Sequence, residues 1–256
     1  MTEIRVGTCG WSVRGGRRAY FTKFNAIELQ DTFYNLPTLD TARRLREEAP
    51  NNFHYCMKAW QVITHPHTSP TWRKLRVKIP SDKAKNYGLL RPTRENFEAW
   101  ESVLEFAREL GAKFIVLQTP PSFGYSEEAV KWVKEFFASA VPASGPVIGW
   151  EPRGTWNQHL EKVREICDSY GVVHVVDPFR RDPVSKHKVT YLRLHGIGPG
   201  EVNYRYKYTD EDLVKLRNKI EHYSKVLSKD IIYVFFNNVH MANDAERFLK
   251  LVRGTQ

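Results

Sequence analysis

Cysteine is scarce in this chain: only Cys9, Cys56 and Cys167 occur, widely spaced and mostly inside apolar runs. An odd, scattered set argues against a disulfide framework or a zinc ribbon, and buried free thiols in a reducing compartment are expected instead. Long hydrophobic runs are missing as well. No stretch approaches the roughly 20 apolar residues needed to span a bilayer, and the opening MTEIRVGTCG enters a strand pattern without a basic start and apolar run. A soluble, cytoplasmic protein with no membrane partner is therefore expected. GxGxxG, GxxxxGK[ST] and GxSxG are also absent, so neither the common nucleotide cofactors nor serine hydrolysis is supported. No repeat, low-complexity tract or linker interrupts the 256 residues. Residues 1–256 thus read as one domain, of the length typical for eight βα units.

What is present is a core-forming composition with an excess of positive charge. Hydrophobic residues at 41% and charged residues at 27% support a packed interior and argue against disorder. The net charge of +10 points to an anionic partner, either nucleic acid or a phosphorylated metabolite, and less strongly to a membrane surface.

Short runs rich in Val, Ile, Tyr and Phe predict strands at 4–9, 26–30, 53–58, 114–118, 147–151, 173–176, 189–194 and 231–236. Helical patterns lie between most of them, at 38–48, 94–110, 127–138, 159–170, 210–227 and 242–252. In the second of these, Phe97, Trp100, Val103, Leu104, Ala107 and Leu110 recur at three- and four-residue intervals and make one apolar face. Gly111 and Gly171 stand where left-handed C-caps are wanted. Strands alternating with helices imply parallel pairing and right-handed crossovers. The expected fold is α/β, a (β/α)₈ TIM barrel. Between 176 and 189, Pro178, Pro183 and several charges leave no room for a good helix, so one helix should be missing or irregular.

In such a barrel the connections after the strands gather at one end and carry the active site. Three of them hold most of the positive charge. Segment 10–25 carries +4, the long basic insertion 59–94 after the third strand +7, and segment 196–208 +1, which leaves −2 for the remainder. Aromatic rings are interleaved with the cations, at Trp60, Trp72 and Tyr87 and in the run Tyr204-Arg205-Tyr206-Lys207-Tyr208. Cations beside flat rings suit phosphates and stacked bases, hence nucleic acid, either DNA or RNA. The bland alternative is a solvated, mobile loop.

Several strands end in ionisable residues, and residues two apart on a strand share a direction. Glu28 pairs with Gln30 in this sense, Arg193 with His195, and Glu151 with Arg153. Read as chemistry, Glu28 and Glu151 are candidate acid/base groups, while Arg153, Arg193 and Lys58 would hold phosphate or stabilise developing negative charge. His195 would shuttle a proton and Asn237 would orient substrate. Glu28, Glu151, Asp177 and His195 could also hold a divalent ion such as Zn or Mn. There is no HExxH, CxxC pair or dense histidine set, so that signal is weak and no cofactor is assigned. A structural role, as a buried Glu–Arg pair, competes at every one of these positions.

The runs GTCGWS (7–12), TFYNLP (32–37), KAWQVITH (58–65), LQTPPSF (117–123), WEPRGTW (150–156), YLRLHG (191–196) and YVFFNNVHMANDAERF (233–248) resemble the YecE-like proteins. These are a widespread domain-of-unknown-function family with a TIM-barrel fold. The resemblance covers nearly the whole chain in the family's order. It implies the barrel and a shared site of Lys58, Thr64, His65, Gln118, Glu151, Arg153, Trp156, Arg193, His195, Asn237 and Asn238. This sequence departs where Gln30 replaces the usual Asn, Cys9 the usual Ser, and Gly154 a common His. The family barrel is similar to those of apurinic endonucleases and sugar isomerases, although the metal-binding histidines of those endonucleases are not evident here.

The leading expectation is a nucleic-acid-binding phosphodiester hydrolase or nuclease. Its catalytic set would be Glu28, Lys58, Glu151, Arg153, Arg193 and His195. Substrate would be held by Arg17, Arg18, His65, Trp72, Arg73, Lys74, Arg76, Gln118, Trp156, Tyr204, Tyr206, Asn237 and Asn238. A small-molecule barrel enzyme acting on a sugar or phosphorylated metabolite, and a non-catalytic DNA- or RNA-binding protein, are the alternatives.

Overall fold

The computed structural model describes residues 2–254. Eight parallel strands are formed: β1 (Glu3–Thr8), β2 (Ala26–Leu29), β3 (His54–Lys58), β4 (Phe114–Gln118), β5 (Val147–Glu151), β6 (Val173–His174), β7 (Val189–Leu194) and β8 (Ile231–Phe236). They make two sheets, with spatial orders β1-β8-β7 and β2-β3-β4-β5-β6. Isolated parallel bridges link Cys9 to Glu28 and Val176 to Leu192, where the edges of the two sheets meet. Gly7 permits the approach of β1 to β2, since a Cβ there would stand 2.0 Å from the Ala26 carbonyl oxygen.

Among the described residues ten α-helices follow in alternation. They are α1 (Gly16–Lys23), α2 (Asp31–Tyr34), α3 (Leu39–Glu48), α4 (Gln61–Thr64), α5 (Ser81–Ala84), α6 (Arg94–Leu110), α7 (Glu127–Ala140), α8 (Leu160–Tyr170), α9 (Asp210–Lys225) and α10 (Met241–Arg253). The six long ones match the periodic segments of the sequence. Helix α6 starts where the Thr93 side chain accepts from the Asn96 N–H and stops at Gly111, whose φ of 65° is left-handed. No helix of the described residues is long and apolar enough to cross a membrane.

Two apolar clusters fill the molecule. The larger lies between strands and helices. The smaller draws Ala26, Cys56, Phe114, Val116, Tyr191, Tyr233 and Phe235 from both sheets. Strand side chains alternate in direction, so the residues two further along point the same way as this smaller cluster. These are Glu28, Lys58, Gln118, Arg193 and Asn237. An apolar layer below and a polar layer above therefore follow from one periodicity.

Two connections shape the polar end. Between β6 and β7 no helix forms, as the two prolines predict, and the strand expected over 173–176 narrows to two residues. The segment is tied down by side chains instead. His174 accepts from the Val184 N–H through Nδ1 (3.2 Å), and the Lys229 ammonium donates to the carbonyls of Ser185 (2.9 Å) and His187 (2.7 Å). The 59–94 insertion is folded as well, with α4, a 3₁₀ turn at Pro70–Lys74 and α5. The buried Asn96 side chain accepts from the Gly88 N–H (3.1 Å) and donates to the carbonyls of Gly88 (3.1 Å) and Arg91 (2.9 Å), fixing the returning end. The reading of a mobile loop is thereby corrected.

Candidate functional site

Arg193 organises the polar layer. Its Nε and Nη2 donate to Oε2 and Oε1 of Glu28, each at 2.9 Å, and its Nη1 donates to Oε2 of Glu151 at 2.5 Å. Tyr191 adds a hydroxyl bond to Glu28 (2.9 Å), and the Gln30 amide donates to the same carboxylate. The second oxygen of Glu151 accepts from Arg153 Nε at 2.8 Å. These residues come from β2, β5 and β7, brought together by the alternation that also buries Tyr191. Burial opposes the charge on Glu151, but the guanidinium groups of Arg153 and Arg193 outweigh it and hold the carboxyl well below its usual range. Burial likewise opposes the charge of Arg193, and Glu28 and Glu151 more than compensate, raising it. Both carboxylates are thus engaged on both oxygens. In this arrangement Glu28 and Glu151, expected as candidate acid/base groups, fix the arginines.

His195 is similarly occupied. Arg153 Nη2, which can only donate, lies 3.3 Å from its Nε2, leaving the ring proton on Nδ1, towards Asp177 Oδ2 at 3.7 Å. Burial lowers the imidazole pKa, against the pull of Asp177. The ring expected as a proton shuttle is thus buried between Arg153 and Asp177. The four side chains considered as metal ligands do not converge, because guanidinium groups lie between the carboxylates. Among the described residues no group of three or more His, Cys, Asp or Glu side chains is placed to hold a metal ion.

Lys58 differs from its neighbours. It is buried at the end of β3 with Nζ 3.7 Å from the Phe33 ring centroid. Burial, and then the charges of Arg193 and Arg153, lower its ammonium to about 7. It borders a cavity of about 470 Å³ whose wall also includes Gln30, Tyr34, Gln118, Arg193, Tyr204 and Asn237. Tyr34 also borders a second, open cavity of about 770 Å³ flanked by Lys74 and Arg76. Tyr34 is therefore common to the walls of the inner cavity and of the cavity beside the insertion. Lys74 Nζ stands 4.5 Å over the Tyr34 ring, and Asn35 holds the insertion by accepting from the Arg76 N–H at 2.7 Å.

Other expected site residues are placed elsewhere. Trp156 is fully buried against Trp150, Phe123 and Tyr125, so it packs the core and offers no stacking face. Tyr206 donates to Asp212 at 2.6 Å, and Asn238 donates to the Tyr206 carbonyl (2.7 Å) and to Asp244 (2.8 Å), so these two brace α9 and α10. Trp72 donates its indole N–H to the His65 carbonyl (3.0 Å) inside the insertion. His65 is buried, with Nδ1 2.8 Å from Thr64 Oγ1, and burial followed by the Lys58 charge lowers its pKa to about 3. Arg17 pairs with Glu48 at the end of α3, on the side where β3 begins, away from the cavity. Arg18 and Arg73 are exposed. Sequence reasoning missed Tyr34 and Phe33, although both lie inside the TFYNLP run, and also missed Arg180, which spans to the carbonyls of Gly196 (2.9 Å) and Gly198 (2.5 Å) beside His195.

Fold and site together define an α/β protein whose parallel strands end around a cationic, polar cavity. The chain belongs to the protein family of unknown function DUF72, whose pattern matches residues 5–256, and this is the family of the YecE-like proteins. No curated protein matches the sequence. A DUF72 protein of Thermotoga maritima superposes with a TM-score of 0.69 at 24% identity, covering 98% of this chain and 99% of that one. A DUF72 protein of Enterococcus faecalis gives 0.73 at 18%, covering 99% and 98%. SacUVDE gives 0.56 at 9%, covering 91% of this chain and 81% of its own. At these identities the likeness is one of fold, and it is to a TIM-barrel-like α/β architecture.

Proposed function

We propose that this protein is a nucleic-acid-acting enzyme of the nuclease type, working on the sugar-phosphate backbone at the carboxyl ends of its strands. The two sheets are read as one eight-stranded barrel and the whole chain as one domain. The shared interior cluster and the bridges from Cys9 to Glu28 and from Val176 to Leu192 support that reading. The observation that carries the function is the junction at Tyr34. Tyr34 stands in the walls of two cavities, one lined by Lys58, Gln118 and Asn237 and the other by Lys74 and Arg76. A backbone following the outer cations would deliver one nucleotide to the inner cavity, with Tyr34 and Tyr204 as stacking faces. Arg193, held in place by Glu28 and Glu151, brings a fixed guanidinium to the wall of the inner cavity.

One observation favours a second reading, an enzyme acting on a free phosphorylated sugar. The inner cavity, at about 470 Å³, lies within the range of small-ligand sites. Incubation of purified protein with labelled single- and double-stranded DNA and RNA, with and without Mg²⁺, Mn²⁺ or Zn²⁺, tests the proposal. Strand binding that weakens steeply with salt, accompanied by cleavage products, is expected. Salt-dependent binding without product would leave a binding protein, and neither binding nor product would overturn the proposal.

A further inference from the structure

We propose that Lys58 is a nucleophilic amine that condenses with the aldehyde of an open-chain sugar bearing a phosphate, the C1′ aldehyde of an abasic nucleotide being the strand-borne form. This rests on the reading above that the cavity receives a sugar-phosphate unit.

The chain contains two lysines with buried side chains, and they are treated differently. Lys229 donates to the carbonyls of Ser185 and His187, which accounts for its burial as structural. For Lys58 the only close partner among the described residues is the face of Phe33, a ring that tolerates an ammonium but also suits a neutral amine. The two carboxylates nearest in the polar layer, Glu28 and Glu151, are held by Arg193 and Arg153. Burying an ammonium without a carboxylate of its own is costly, and the same cost favours the neutral amine, which is the nucleophilic form. The pKa of about 7 agrees with this geometry. Lys58 also faces space: it borders the cavity of about 470 Å³ with the amides of Gln118 and Asn237, and Arg193 lies in the same wall.

The chemistry balances within these groups and water. The Lys58 lone pair attacks the carbonyl carbon, a C–N bond forms, and the carbonyl π pair moves to oxygen, which takes up a proton to give a carbinolamine. The nitrogen then loses a proton to water, and its lone pair forms C=N as the C–O bond breaks. The hydroxyl leaves as water with a proton from solvent, and the nitrogen, which keeps its remaining N–H, carries the charge of the iminium so formed. Developing charge on oxygen is met by the Gln118 amide and the neighbouring guanidinium groups, while the substrate phosphate offsets the cation that forms.

Borohydride trapping tests this. The protein is incubated with an oligonucleotide carrying an abasic site and, separately, with glyceraldehyde 3-phosphate, reduced with sodium cyanoborohydride, and examined by intact mass and peptide mapping. A stable secondary amine on Lys58 is expected, and its loss in Lys58→Met. Mapping of the wild-type protein locates the adduct even where the variant fails to fold. Adduct spread over exposed lysines such as Lys74, persisting in Lys58→Met, overturns the proposal, as does absence of adduct with both compounds. Adduct with both compounds, or with the strand alone, supports it on nucleic acid. Adduct with the free sugar phosphate alone supports the amine's role and moves its source to a metabolite. Binding of an undamaged strand is measured in parallel: strand binding without adduct defeats the Lys58 assignment and leaves the function above standing.

Discussion

At the scale of single residues, the polar layer separates charges that are spoken for from one that is not. Arg193 meets three carboxylate oxygens with three different nitrogens, and Glu151 has a guanidinium on each oxygen. Buried ions persist only when paired in this way, so these four side chains hold one another in place. Lys58 faces the same groups, Arg193 from β7, Arg153 and Glu151 from the end of β5 and Glu28 from β2, and its burial, with the two guanidinium groups, lowers its pKa to about 7 against the pull of the carboxylates. An unfolded lysine titrates near 10.4. Between these values the unfolded chain binds more protons than the folded one, so Lys58 makes folding stability rise with pH across that window, by at most about 1 kcal/mol per pH unit. Lys58→Met removes that slope. Urea unfolding of both proteins at neutral and at alkaline pH should therefore show the variant's relative advantage shrinking as pH rises. Parallel pH dependences would mean that Lys58 is an ordinary, charged lysine in the folded state.

Among the elements, what could be read from the sequence was what short-range periodicity encodes. Helix α6 occupies the segment that Phe97, Trp100, Val103 and Ala107 mark out, and β4, β5, β7 and β8 take their predicted bounds. The missing helix before β7 was legible from Pro178 and Pro183. What replaces it was not, because the carbonyls of 185 and 187 are met by Lys229, more than forty residues away. The same holds for the insertion. Its composition reads as a basic, aromatic nucleic-acid-binding segment or a solvated loop, and neither reading shows that its returning end is clasped by Asn96 on a helix beyond it. That clasp makes a prediction. Asn96→Ala leaves the Gly88 N–H without its partner, while the Gly88 and Arg91 carbonyls keep the N–H groups of Arg91 and Thr93, a loss of about 1–3 kcal/mol. The loss should fall on the insertion first, so trypsin should cut the lysine-rich stretch between 73 and 85 faster in the variant while the remaining fragments stay protected. Protection equal to wild type would show that the insertion is held by its aromatic packing instead.

Over the whole molecule, the placement of charge matters more than its total. The sequence shows +10, and summing by connection assigned segment 10–25 to the site because it follows a strand. The folded chain divides that segment's charge: Arg17 pairs with Glu48 and Lys23 with Glu246, both outside the cavity. Tyr206 and Trp156 were misread for a related reason, since a ring in a polar motif looks the same whether it stacks on a ligand or on Asp212 and Trp150. Lys74 and Arg76, by contrast, flank the open groove that shares Tyr34 with the central cavity. Counterion release provides a direct comparison of the two sets, because each cation contacting phosphate adds to the slope of log affinity against log salt. A double variant, Lys74→Gln with Arg76→Gln, should lower that slope by about 1.4 for a fluorescent single-stranded oligonucleotide, at about 0.7 for each contact. The pair Arg17→Gln with Lys23→Gln removes the same charge from the other side and should leave the slope unchanged. Equal losses from both pairs would mean that the strand responds to net charge alone, and the groove beside Tyr34 would no longer be its path into the barrel.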